Sequence, residues 1–458
     1  MENVVVELSR YIIIIFTTIY TLYCFTAFRS SNKLKQNSIF HKQSVLMYLV
    51  HFICYGLLYL NSKNMKVIYL YLAELAFFIL VKLVYKLVYK KLSVHILNNM
   101  LFLIMIGFVI LTRLSFDMAI KQFIIVAVSF GICLIVPFVI ERFKYLSELG
   151  WIYGFIGLAL LLIVFAFGTT KYGARNWINL FGILVQPSEF VKIIFVFFIA
   201  SLLSKHNEFK DIVKITLLAA SYVIVFVVSK DLGSGLIFFV AYLVVLYVAT
   251  GKPFYLFSGL GAGSVAAYAA YFLFSHVRVR VTAWRDPWSY IDKEGYQITQ
   301  SLFAIGTGGW FGLGLAKGLP GTIPVVESDF IFSAISEELG GITAVCIILI
   351  SLSCFIMFIN ISMKMKKKFY KLVALGLSTI YVFQVFLTIG GAVKFIPSTG
   401  VTLPLVSYGG SSALSTIIMF SIIQGMYVLN QNEVDNSERK KTKKAKIKKT
   451  GTQELERK

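Results

Sequence analysis

Residues 212–250, IVKITLLAASYVIVFVVSKDLGSGLIFFVAYLVVLYVAT, hold two apolar runs, 212–229 and 233–250, parted by three residues. A helix needs about 20 mostly apolar residues to cross the hydrocarbon core of a bilayer. Each run approaches that length, so the stretch reads as two consecutive crossings. Similar runs lie near 9–28, 43–61, 67–85, 96–112, 119–140, 150–168, 187–204, 255–274, 330–358, 370–393 and 405–430. The expectation is about thirteen crossings. The first run follows Glu2 and Glu7 rather than a basic region, so no cleavable signal is expected.

Composition agrees with this. Of 458 residues, 58% are hydrophobic and only 14% charged, against about 45–50% and about 25% in soluble domains. The mean hydropathy is +0.79. Such an excess must face lipid rather than water. Disorder, collagen, coiled coil and a disulfide scaffold are excluded, leaving an all-α polytopic membrane protein. The five cysteines, Cys24, Cys54, Cys133, Cys346 and Cys354, all sit within apolar runs and none forms CxxC. They read as buried thiols. The five histidines form no HExxH and no Cys/His cluster, which argues against zinc.

The net charge of +22 comes from 44 basic and 22 acidic residues. In a membrane protein it reflects positive cytoplasmic loops beside anionic lipid rather than nucleic acid. Loop 29–42 carries Arg29, Lys33, Lys35 and Lys42. Alternation puts Lys86, Lys90 and Lys91, then Arg142 and Lys144, then Lys205 and Lys210, and then Lys364, Lys366, Lys367 and Lys368 on the same side. The tail from 431, with RKKTKKAKIKK, joins them and reads as a disordered, solvated segment drawn to membrane lipids. The N-terminus is expected outside and the C-terminus in the cytoplasm.

Three polar segments then collect on the outer face: 169–186, the long loop 275–328, and 394–404. Long loops in compact proteins are usually functional or disordered. The second is too rich in aromatic residues and glycine motifs for disorder. Its AIGTGGWFGLGLAKG has glycines at 306, 308, 309, 312, 314 and 318, which fit neither GxGxxG nor a P-loop. Tight turns or a re-entrant segment are favoured, with a backbone cradle for a phosphate or sugar kept open.

Charges within spans cost at least about 2.5–3.5 kcal/mol near the bilayer centre. Glu189 and Lys192 lie three apart at the start of a span and share a helix face. They read equally well as a structural ion pair or as site residues. Asp329, in PVVESDFIFSAISEELG, stands where the eleventh span begins, with Ser333 and Ser336 on roughly its face. Alone, it reads as a helix-start cap. Glu74, Lys82 and Arg10 read as lone charges explained by snorkelling or packing.

Taken together the motifs resemble the SEDS family, the RodA/FtsW/SpoVE proteins. Gly173-Ala174-Arg175-Asn176-Trp177-Ile178 with Gln186-Pro187-Ser188-Glu189-Phe190-Val191-Lys192 resembles GARRWI…QPSE-x-x-K, Asn176 standing where a second arginine is usual. Asp231-Leu232-Gly233-Ser234-Gly235 resembles the family's DLGT/S segment. Asp286-Pro287-Trp288, Gly295-Tyr296-Gln297, Gln300-Ser301-Leu302 and Gly308-Gly309 resemble its large outer loop. Ser328-Asp329-Phe330-Ile331-Phe332 with Glu337-Glu338-Leu339-Gly340 resembles TDFIFA…EELG, and 397–412 resembles PVTG…PLVSYGGSS.

The resemblance implies a ten-helix core within 91–430, a membrane extension of about three helices over 1–90, and a basic tail over 431–458. It implies a glycosyltransferase that polymerises lipid II into peptidoglycan on the outer membrane face, for elongation, division or sporulation. Asp329 is then the catalytic base, and Arg175, Glu189 and Lys192 bind substrate. Arg278, Arg280, Arg285 and Lys394 are further outer cations with no spacing argument to separate them. The implied partner is a class B penicillin-binding protein, a transpeptidase. A divalent cation such as Mg or Mn would aid the leaving group, but the sequence shows no dedicated ligand set. The alternatives are a transporter that flips lipid II along the internal charges and a scaffold for other wall enzymes.

Overall fold

The computed structural model describes residues 2–455 apart from 31, 172, 173, 181, 182 and 207. Gly173 of the first motif therefore lies outside the described residues. The chain opens with α1 (Glu2–Arg29), α2 (Lys33–Ser62) and α3 (Met65–Val88). There follow α4 (Val94–Leu114), α5 (Phe116–Cys133), α6 (Val136–Arg142) and α7 (Gly150–Phe167). Three short strands, β1 (Thr169–Lys171), β2 (Ala174–Leu180) and β3 (Ile183–Val185), lead into α8 (Ser188–Lys205), α9 (Phe209–Val228) and α10 (Leu232–Thr250). The rest comprises α11 (Pro253–Leu273), α12 (Ser275–Arg285), α13 (Tyr296–Gly308), α14 (Ile331–Lys364), α15 (Lys368–Ala392) and α16 (Gly410–Leu455).

Local chemistry sets these bounds. Asn32 caps α2 by accepting from the Leu34 amide at 2.9 Å, and Asp231 caps α10 by accepting from Ser234 N at 3.1 Å. Pro137, in the first turn of α6, has no N–H to continue the helix before it, so the run predicted over 119–140 becomes two helices. Among the described residues twelve spans are long and apolar enough to cross a membrane. The thirteenth predicted crossing is α8, 18 residues long, whose Glu189, Lys192 and Lys205 make it more polar. This is a multi-pass membrane protein.

Burial follows the apolar patterning. Every residue of α4 from 95 to 111 is buried, because α1 and α2 cover it on one side and the later helices on the other. Tyr20 donates to Asn99 Oδ1 at 3.0 Å and Asn98 donates to the Phe40 carbonyl at 3.0 Å across those contacts. By contrast, α11 buries no residue, and its Phe254, Phe257, Tyr268 and Leu273 are open to lipid. Contacts join distant parts of the chain at each end of the bundle. Lys91 pairs with Asp435, and Asn432 donates to Glu141 at 2.7 Å at one end. At the other, Arg10 and Arg113 donate to the Gly312 and Gly318 carbonyls.

Three expectations change. Thr169–Lys171, Ala174–Leu180 and Ile183–Val185 form an antiparallel sheet in the order β1-β2-β3 rather than open loop. The tail continues α16 to Leu455 instead of leaving the helix at 431; a formed span supplies the nucleus, and lysine is a good helix former. Glu74 is not a lone charge. It is fully buried, 2.9 Å from His51 Nε2, and accepts from Tyr55 OH at 2.7 Å.

Candidate functional site

Asp329 sits in a turn just before α14. The amides of Ser328 and Asp329 both donate to the Val325 carbonyl at 3.2 Å, with Val325 at φ +58°. This turn is fastened to a distant segment: the Tyr408 amide donates to the Glu327 carbonyl at 2.8 Å, and Ser407 Oγ donates to the Ser328 carbonyl. Two motifs almost 80 residues apart in the chain thus become one surface. The Ser333 hydroxyl, on α14, lies 2.6 Å from Ser301 Oγ on α13.

The Asp329 carboxylate accepts from Ser328 Oγ at 3.0 Å. Burial pushes its pKa above the ordinary aspartate value, while the Ser328 hydrogen bond and the Arg280 charge pull it back down and Glu327 adds to the rise. Arg280, on α12, is aimed by its bonds to the Ser398 and Thr399 carbonyls at 3.4 and 3.1 Å. Of the four outer cations the sequence leaves equivalent, this is the one brought to Asp329. A Cβ placed on Gly400, at φ +72°, would lie within 4 Å of both groups.

Gly400 also lines a cleft with an empty volume of about 420 Å³, mouth included, together with Glu189, Lys192, Asp231, Gln384 and Thr402. Lys192 Nζ donates to Glu189 Oε2 at 2.6 Å and to Gln384 Oε1 at 3.0 Å. Ser415 donates to the same Glu189 oxygen at 2.7 Å, and Gln384 Nε2 donates to the Thr402 carbonyl at 3.1 Å. The two charges neutralise each other, so neither is a free base or a free cation. Their hydrogen bonds link α8 to α15 and α16 along a polar cleft.

Arg175 is placed elsewhere. Its guanidinium donates to the Gly168 and Ala166 carbonyls at 3.0 and 2.8 Å, capping the end of α7. Its neighbour Asn176 instead donates at 2.7 Å to Oδ2 of Asp231, which lines the cleft. Asn176 and Asp231 were read from the sequence only as members of the GARNWI and DLGSG segments, and Gln384 and Ser415 were not singled out. Among the described residues no group of three or more His, Cys, Asp or Glu side chains is placed to hold a metal ion. The cation set near Asp329 is Arg280.

The family model for the FtsW, RodA and SpoVE proteins, described as cell cycle proteins, matches residues 92–432. The chain belongs to that family.

Among its relatives, the peptidoglycan glycosyltransferase RodA of Mycobacterium tuberculosis is 38% identical over 309 residues, 63% of this chain and 66% of that protein. The match therefore spans just under two thirds of the mycobacterial protein. RodA of Mycobacterium leprae is 36% identical over 67% of this chain and 69% of its own length. A probable peptidoglycan glycosyltransferase FtsW of Aliivibrio salmonicida is 33% identical over 58% of this chain and 70% of its own. Two solved structures share the fold. A chain from a peptidoglycan synthase complex superposes with a TM-score of 0.63 at 23% identity, covering 74% of this chain and 98% of that one. Thermus thermophilus RodA superposes at 0.53 and 22% identity, covering 73% and 96%. Residues 1–91 precede the match in this SEDS-family chain.

Proposed function

We propose that this protein is a peptidoglycan glycosyltransferase that polymerises lipid II on the outer face of the cytoplasmic membrane. The basic loops support an N-terminus outside and a C-terminus inside, which turns the Asp329 end outward. The observation that carries the reading is an enclosed carboxylate, Asp329, set beside a fixed guanidinium, Arg280, at the mouth of a polar cleft.

The reaction needs a base and a place for developing negative charge. Asp329 takes the proton of the 4-hydroxyl of the incoming N-acetylglucosamine. That oxygen bonds to the anomeric carbon of the chain's terminal N-acetylmuramic acid, and the bond to undecaprenyl diphosphate breaks with inversion. Arg280 receives charge on the leaving diphosphate. The Glu189–Lys192 cleft seats the polar head while the prenyl tail stays in lipid. Arg175, holding the end of α7, shapes the sheet that borders the cleft.

A class B penicillin-binding protein is the proposed partner, supported by the fold shared with a chain of a peptidoglycan synthase complex that couples polymerization to crosslinking. The deciding experiment incubates purified protein and partner with labelled lipid II. The Asp329→Ala protein, expressed at the wild-type level, should yield no glycan strands. Polymer formed at the wild-type rate would remove Asp329 from the chemistry. A wild-type protein that moves lipid II across vesicles without polymerising it would establish the transporter reading instead.

A further inference from the structure

The kink in α14 creates a backbone problem with an unusual solution. Gly340 has φ +88°, so the helix breaks there, and carbonyls just before the break lose their helical donors. The glycine-rich turn after α13 supplies replacements. Leu313 N donates to the Glu337 carbonyl and Gly314 N to the Glu338 carbonyl, both at 2.9 Å. In return, Gly341 N donates to the Gly309 carbonyl at 2.9 Å and Ile342 N to the Trp310 carbonyl at 3.2 Å. The side chains reinforce the lock: Glu338 accepts from Ala316 N at 3.1 Å and Glu337 from Leu319 N at 3.0 Å. Residues 309–319 therefore fix the angle of the short helical piece whose first turn follows Asp329.

The N-terminal helices grip this same turn from two directions. Arg10 of α1 donates to the Gly312 carbonyl at 3.1 Å, is ion-paired with Glu7 at 2.7 Å, and lies over the Tyr11 ring. Tyr11 in turn meets Phe311 with ring centroids 5.7 Å apart. From α2 and α3, Glu74 holds Tyr55, whose hydroxyl lies 3.0 Å from Thr112 Oγ1. The next residue, Arg113, donates to Glu338 at 3.0 Å and to the Gly318 carbonyl at 3.1 Å.

We propose that the three N-terminal helices are a built-in brace for the 309–319 turn and the kinked start of α14, with Arg10 as its positioning residue. The segment lies wholly outside the part that matches the family. Its effect on turnover rests on the polymerase reading above. Its effect on the turn does not.

The test uses the full chain in lipid nanodiscs and compares wild type with Arg10→Met, Arg10→Lys and a lipid-facing control, Leu22→Ala. Arg10→Met keeps an apolar stem of similar length and removes the guanidinium with its bonds to Gly312, Glu7 and Tyr11. Amide exchange of Leu313 and Gly314 should speed up about tenfold in Arg10→Met, return most of the way in Arg10→Lys, and stay unchanged in Leu22→Ala. With labelled lipid II and partner, kcat should fall about tenfold in Arg10→Met with KM unchanged, and Arg10→Lys should restore it. Wild-type exchange at both amides in Arg10→Met overturns the brace. Faster exchange with unaltered kcat overturns the positioning role. Faster exchange in a protein whose wild type makes no polymer keeps the brace and overturns the polymerase reading.

Discussion

Asp329 and Arg280 meet across a residue that has no side chain to put between them. A methyl group on Gly400 would lie 3.6 Å from Asp329 Oδ2 and 3.8 Å from the nearer Arg280 nitrogen, Nη2. The space between base and cation is where a sugar hydroxyl and a departing diphosphate must pass, so the glycine keeps the gap open.

Gly400→Ala tests that relationship. The left-handed backbone costs an alanine about 1 kcal/mol, a small loss for a protein of this size. The methyl group intrudes on the gap itself, so kcat/KM for lipid II polymerisation should drop by about tenfold or more. Thermal melting in detergent beside the polymerisation assay separates the two effects. A variant that melts like wild type and polymerises like it would show that the gap is not used.

The raised pKa of Asp329 gives a pH dependence with a defined sign. A base must be ionised, so the acid limb of the kcat/KM profile should lie above the ordinary aspartate range of about 3.9. For stability the direction is opposite. Burial favours the protonated form in the folded protein, so stability present below the unfolded value is lost as pH rises through the folded one. Asp329→Asn should therefore be inactive yet melt at a higher temperature than wild type at neutral pH, the gain vanishing below about pH 3.9. A lower melting temperature at pH 7 would mean that the carboxylate is stabilised rather than strained.

How much of this was legible in the sequence varies with distance along the chain. The apolar runs announce the membrane-crossing helices because the length needed to cross lipid is a local property, whereas the shorter α12 and α13 lie within the stretch read as the loop 275–328. Glu189 and Lys192 were readable as a pair because three residues on one helix share a face. Glu74 was not, since its partner His51 lies 23 residues away on another helix. Arg280 could not be told from Arg278, Arg285 or Lys394, because what selects it is the carbonyl pair at 398 and 399, more than 110 residues on. The sheet of β1, β2 and β3 escaped notice because strands of only three to seven residues carry little periodicity.

The Glu189–Lys192 pair should respond asymmetrically to substitution. Its side chains are 12% and 4% exposed, so removing one partner strands a charge among apolar helices. Glu189→Gln or Lys192→Met alone should each cost about 3–5 kcal/mol of stability. The double variant, which leaves no charge behind, should recover most of the melting temperature while losing polymerisation, since the cleft's polar seat is gone. A double-mutant cycle on detergent-solubilised protein measures the coupling. Strictly additive losses would mean that the two side chains do not form one unit.

Glu74 makes a comparable claim for the N-terminal helices. It accepts from Tyr55, contacts His51, and has no exposure, so Glu74→Ala leaves buried polar groups without their partner, at about 1–3 kcal/mol. Glu74→Gln retains an acceptor for Tyr55 and should cost less. The loss should also travel. Tyr55 steadies Thr112, and Arg113 beside it holds Glu338 and the Gly318 carbonyl. Exchange at the Ala316 and Leu319 amides should thus rise in Glu74→Ala even though Glu74 touches neither. If melting falls while those amides keep their wild-type protection, the α2–α3 cluster stabilises only itself, and the outer turn depends on Arg10 alone.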